Sequence, residues 1–122
     1  MKYVALLTNM QEDIEAWERM SPEEAAAARA QEMPKWEALF AEFGPSGALG
    51  SGAELDVPAA AKTVRVRDGE VVVTDGPFAE TKEQIGGVIE LEADDLDAAI
   101  AIAARIPVAS RASVELRPVI EH

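Results

Sequence analysis

The run Asp75-Gly76-Pro77-Phe78-Ala79-Glu80-Thr81-Lys82-Glu83 gathers more groups able to do chemistry than any other stretch of the chain. A carboxylate held in a cleft can take or deliver a proton, or orient a substrate. Asp75 is the candidate catalytic acid or base, with Glu80 beside it, and Thr81 and Lys82 are of the types that hold an anionic ligand. The same residues also suit a rigid turn. The Asp75 carboxylate can accept following amides, Gly76 and Pro77 set the backbone, and Phe78 needs an apolar pocket.

Few other positions offer comparable chemistry. Arg65 and Arg67 form a local cationic patch that can hold a small anion, although the chain as a whole is acidic. Trp17 sits in a polar segment and reads either as core or as the cover of a cleft or dimer seam. Gly86-Gly87 precedes a strand and suits a bulge or a close backbone approach better than a phosphate cradle. The single histidine, His122, is the last residue, where a chain frays. No other histidine is present to form a triad or a metal cluster, carboxylates alone could bind a hard cation but none stand in a recognisable loop pattern, no cysteine is present for thiolate chemistry, and no cofactor motif occurs.

The totals narrow the classes further. A length of 122 residues fits one domain, 1–122, and 48% apolar content is that of a globular protein. Against 11 Lys plus Arg stand 23 Asp plus Glu, a formal net charge of −12. Such a surface repels phosphate backbones and anionic lipid, so neither nucleic acid nor a membrane is an expected partner. The first residues are too briefly apolar for a signal sequence, and a cytoplasmic location is expected.

The elements that must position these groups follow from periodicity and turn chemistry. Residues 2–8 read as a strand with both faces partly covered. Ser21-Pro22-Glu23-Glu24 combines an N-cap, a first-turn proline and a capping box, so a helix starts there. Pro34 predicts a kink or break near 31–34. Beyond it Trp36, Leu39, Phe40 and Phe43 form an apolar stripe that Met33 extends. Gly44-Pro45 stops the helix, and residues 44–52 are expected to be irregular, with room for a short strand around Ala48–Leu49 or near 48–56. Thr63–Arg67 and Val71–Val73, joined by Asp68-Gly69, predict a hairpin with Val64 and Val66 inward, and Arg67 opposite Glu70. Gly87–Glu92, a helix over 95–105 and a strand over 113–117 complete the order.

The segments Thr63–Gly69, Val73–Gly87, Asp94–Asp97, Ala103–Pro107 and Ser113–Pro118 together resemble the YciI-related family, in particular its subgroup named for the DGPF motif, here Asp75-Gly76-Pro77-Phe78. The resemblance implies an α+β, ferredoxin-like fold of the dimeric α+β barrel type, with an antiparallel sheet and helices on one face. It also implies a homodimer with a cleft for a small molecule. Some relatives act on small molecules with a histidine–aspartate pair, one of them a dehydrochlorinase, and others are encoded beside alternative sigma factors. The family histidine falls near Pro34-Lys35-Trp36, where this chain has none. Its histidine-dependent chemistry therefore does not carry over. The expected role is small-ligand binding of a regulatory kind, through Arg65, Glu80, Thr81, Lys82 and Trp17. The alternative is a lyase- or dehydrochlorinase-like enzyme relying on Asp75.

Overall fold

The computed structural model describes residues 1–122. Strand β1 (Lys2–Met10) leads into helix α1 (Gln11–Glu18) and the long helix α2 (Pro22–Phe43). Strand β2 (Leu49–Glu54) follows, then the hairpin of β3 (Lys62–Arg67) and β4 (Glu70–Asp75), then β5 (Glu83–Glu92). Helix α3 (Leu96–Ala103) and β6 (Val114–Pro118) close the chain. Four strands form one sheet in the order β2-β5-β1-β6, every neighbouring pair antiparallel, while β3 and β4 form a sheet of their own.

Alternation along β1 decides where the core lies. Tyr3, Ala5 and Leu7 are buried and point to one face, where they meet Ile89 and Leu91 of β5, Leu39 of α2, and Ala99 and Ile102 of α3. Tyr3, Leu39, Leu91 and Ile106 are almost fully enclosed. Each such side chain contributes roughly 1.5–3 kcal/mol through the apolar surface it removes from water. On the other face Val4 and Leu6 are only half-buried.

The expected ferredoxin-like sheet of dimeric α+β barrel type is corrected here. The sheet is open: β2 and β6 are its two edges, and no ladder joins them or ties either to the hairpin. Closing a barrel takes roughly eight strands of matched tilt and stagger, whereas this sheet has four, and the other two pair only with each other. What stands is an α+β fold with an antiparallel open sheet, a separate hairpin and three helices.

Four local expectations also change. Helix α2 runs through Pro34 without a break. Proline removes one hydrogen bond to the carbonyl of Ala30, and both residues are exposed, so water can take the missing place. The segment after the first strand is helical, and residues 49–54 are a full edge strand. The hairpin keeps the expected register, Arg67 opposite Glu70, but reverses its faces. Val64, Val66, Val71 and Val73 share one face and are 61%, 60%, 68% and 57% exposed, whereas Thr63 and Arg65 on the other face are half-buried.

The start of α2 follows its sequence signals closely. The Glu24 amide donates to Ser21 Oγ at 3.1 Å, and the Ser21 amide donates to Glu24 Oε1 at 2.9 Å. The Ser21 backbone amide, aided by its hydroxyl, holds the Glu24 carboxyl below its ordinary value. This linkage stabilises the fold above the ordinary carboxylate range and is lost as the pH falls through the lowered folded-state value. Ser21→Ala is expected to cost about 0.5–2 kcal/mol in chemical denaturation near neutral pH. The gap between the two proteins should narrow in acid, and an equal gap at both pH values would show that the Ser21 hydroxyl takes no part in holding the Glu24 carboxylate, which the backbone amide, kept in the variant, then holds alone.

Candidate functional site

Helix α2 presents Arg29, Glu32, Met33, Trp36 and Phe40 at steps of three and four, which places them along one side of the helix. That stripe forms one wall of a cleft of about 420 Å³, whose opposite wall is the sheet at Leu7, Gly52, Gly87 and Ile89. The size falls in the range of small-ligand sites, about 300–1,000 Å³. A second lobe, about 390 Å³, lies under α1 and carries Trp17, Ile14 and Met20. Asn9, Arg29, Glu32, Glu54, Gly86 and Arg111 border both lobes and form the waist between them.

The waist is a set of matched charges. Arg29 grips Glu54 with both terminal nitrogens, each contact at 2.8 Å, a bidentate geometry that holds the guanidinium plane. The same guanidinium lies 4.9 Å from the centre of the Trp17 ring, a cation–π contact. The bond to Glu54 raises the Arg29 pKa above its ordinary value. Arg111, from the segment before β6, meets Glu32 at 2.6 Å. Glu32 is the least exposed of the four, its side chain 29% accessible. Trp36 stacks on Phe40 with ring centres 6.1 Å apart, giving the first lobe an aromatic wall.

The sheet reaches this cleft through a bulge. β1 and β5 pair regularly from Lys2↔Glu92 to Leu7↔Gly87, then resume at Thr8↔Ile85, leaving Gly86 as the extra residue. A side chain at Gly86 would overlap the amide nitrogen of Asn9, so glycine here lets the Asn9 side chain lie against the strand at the cleft waist. The expectation of a bulge or close approach at Gly86-Gly87 agrees with this geometry.

The residues singled out from sequence are not gathered in one place. Asp75 ends β4 opposite Lys62, pairs with its ammonium, and has a side chain 85% exposed. The neighbouring Gly76 has φ of +92°, donates its amide to Ala61 O at 2.8 Å, and accepts from the Thr63 hydroxyl at 2.8 Å. Asp75-Gly76 therefore fastens the base of the hairpin. Phe78 is 78% exposed at the rim of an apolar groove lined by Leu55, Val57, Pro77 and Ile85. The Thr81 hydroxyl turns the chain into β5 by donating to Glu83 O, and the carbonyl of Thr81 accepts from Gln84 Nε2 at 3.1 Å. The Lys82 carbonyl accepts the first amide of α1, that of Gln11, at 2.7 Å. Glu80 is exposed, and Arg65 lies half-buried opposite Val72. Of this group only Trp17 lines the two-lobed cleft.

Arg29, Glu32, Glu54 and Arg111 were not evident from sequence. They come from three distant segments, and each alone reads as a solvated charge. The available signal was the polar continuation of the Trp36–Phe40 stripe back to Arg29 and Glu32. No group of three or more His, Asp or Glu side chains is placed to hold a metal ion, and no helix is long and apolar enough to cross a membrane.

A model of the YCII-related domain matches the chain over residues 1–122. The chain belongs to the YCII-related family. A curated relative, an uncharacterised protein of Rhizobium meliloti (strain 1021), is 35% identical over 120 residues, covering 97% of this chain and 91% of the relative.

Alanine at position 86 tests how the YCII-family sheet supports the cleft. Because the flexible end of Asn9 has to move and the backbone does not, Gly86→Ala should cost no more than about 1 kcal/mol. The Asn9 side-chain amide resonances should nevertheless shift. Unchanged resonances would show that Asn9 does not lie against the bulge.

Proposed function

We propose that this YCII-family protein binds a small organic acid in the two-lobed cleft, without transforming it. The supporting observation is the convergence of Arg29 and Arg111 on a waist flanked by Trp17 on one side and Trp36 on the other. Guanidinium forks suit carboxylates, and the aromatic walls suit an apolar body. The polar lining consists mainly of paired charges and an amide, an arrangement suited to holding a ligand. Trp17 and Trp36 are the only two tryptophans in the chain, so indole fluorescence reports on both lobes. Titration with a panel of small aromatic and aliphatic acids should give a saturable change, weakened about tenfold or more in Arg111→Gln. A panel with no saturable member, amino acids included in it, would overturn the reading.

Within the family, the chain fits the DGPF subgroup on Asp75-Gly76-Pro77-Phe78. The positive φ of Gly76 gives the motif a conformational role at the foot of the hairpin.

The chain is further proposed to act as a homodimer that meets through the valine face of the hairpin. A two-stranded ribbon is marginal by itself in water, and this one exposes four valines on one face. Lys62, Arg65 and Arg67 balance Asp68, Glu70 and Asp75, so the net −12 lies entirely outside residues 62–75. Two copies of so acidic a chain repel each other least at that neutral, apolar ribbon. Sedimentation at micromolar concentration should show a dimer that Val66→Lys with Val71→Lys converts to a folded monomer. A wild-type monomer would reject the dimer.

A further inference from the structure

Resting on the proposed ligand-binding role of the cleft, we infer that its ligand is a zwitterion of the α-amino-acid kind with an apolar side group. The waist is electrically balanced: Arg29 with Glu54 and Arg111 with Glu32, in a protein of net charge −12. A ligand with only a carboxylate must draw an arginine from its partner. It would leave a glutamate unpaired beside the new anion, in an already negative field. A purely cationic ligand would in turn leave an arginine without its partner. A zwitterion exchanges both halves of one pair and leaves no charge unmatched.

The Arg111–Glu32 pair is the one the ligand opens. It is a single 2.6 Å contact, whereas Arg29 is held by two bonds to Glu54 and by the Trp17 ring. Glu32 is also the most enclosed of the four side chains, and charge recognition strengthens as water is excluded. The ligand carboxylate then lies on Arg111 and its ammonium on Glu32. Trp36, one helical turn beyond Glu32 on the same side of α2, meets its side group. Partly hydrated ion pairs are worth little, so opening this one is easy.

Three forms of one side chain separate the charges: L-phenylalanine, N-acetyl-L-phenylalanine and L-phenylalaninamide, with the leucine series run in parallel. Calorimetry and indole fluorescence should show the free amino acid binding about tenfold or more tightly than either blocked form, the cost of one lost charged contact. Glu32→Gln should erase the advantage of the free amino acid over the N-acetyl form, weakening the free amino acid while the N-acetyl form, which no longer leaves a glutamate unpaired beside it, binds at least as tightly as before. The zwitterion is rejected if N-acetyl-phenylalanine binds as tightly as phenylalanine, or if simple acids bind while all six probes fail. In both cases the cleft would still be a ligand site. If neither the probes nor any simple acid binds, both the zwitterion and the ligand-binding role fall.

Discussion

Strand β1 carries hydrogen bonds along both edges, to β5 on one side and β6 on the other, and its odd-numbered residues Tyr3, Ala5 and Leu7 are the floor on which α2 and α3 rest. Because side chains alternate, a slip of one residue in either ladder would turn that floor to solvent and bring Val4 and Leu6 beneath the helices. The register is therefore strongly constrained where the core is densest. It is relaxed at one place, the bulge at Gly86, beyond the last core residue of β1. There the strand delivers Asn9 to the cleft and passes into α1. The site thus begins where the sheet's regular pairing is interrupted.

Charge is distributed to the same effect. The chain is strongly acidic, yet several of its arginines are committed to specific carboxylates that join separate elements: Arg29 to Glu54 on β2, Arg105 to Glu42 on α2, Arg111 to Glu32. These bridges are partly hydrated and add little to stability. Their value is positional. They link α2 to a sheet edge and to the segment before β6, around a cavity that apolar packing alone would tend to close.

Much of the fold was legible in the residues themselves. The capping box at Ser21, the Asp68-Gly69 turn and the alternation in β5 and β6 are local signals, and the chain follows them. Helix α1 was not legible because Met10, at its N-cap, supplies no side-chain cap, and only Ile14 of its residues is buried. Strand β2 was legible only as a short strand around Ala48–Leu49, because Leu-Gly-Ser-Gly-Ala-Glu has one buried residue and hence no alternation to read. The sidedness of the hairpin depends on what covers it, which is not a property of its own residues. For the site, Trp17 stood out by its type. Arg29, Glu32 and Arg111 did not, because the pairing that distinguishes them from ordinary surface charges exists only once α2 crosses the sheet.

The uninterrupted passage of α2 through Pro34 has a mechanical consequence. Proline leaves the carbonyl of Ala30 without a donor inside the helix, so one rung of the hydrogen-bond ladder is missing. The half beyond Pro34 is clamped to the core through Leu39, whereas the half before it has no fully buried residue. Arg29, Glu32 and Met33 belong to the looser half, and Trp36 and Phe40 to the clamped one. The missing rung falls between the aromatic wall of the cleft, clamped to the core, and the charged wall, tied to its neighbours by partly hydrated ion pairs, so any bending of α2 at the proline would change the width of the cleft without disturbing the core.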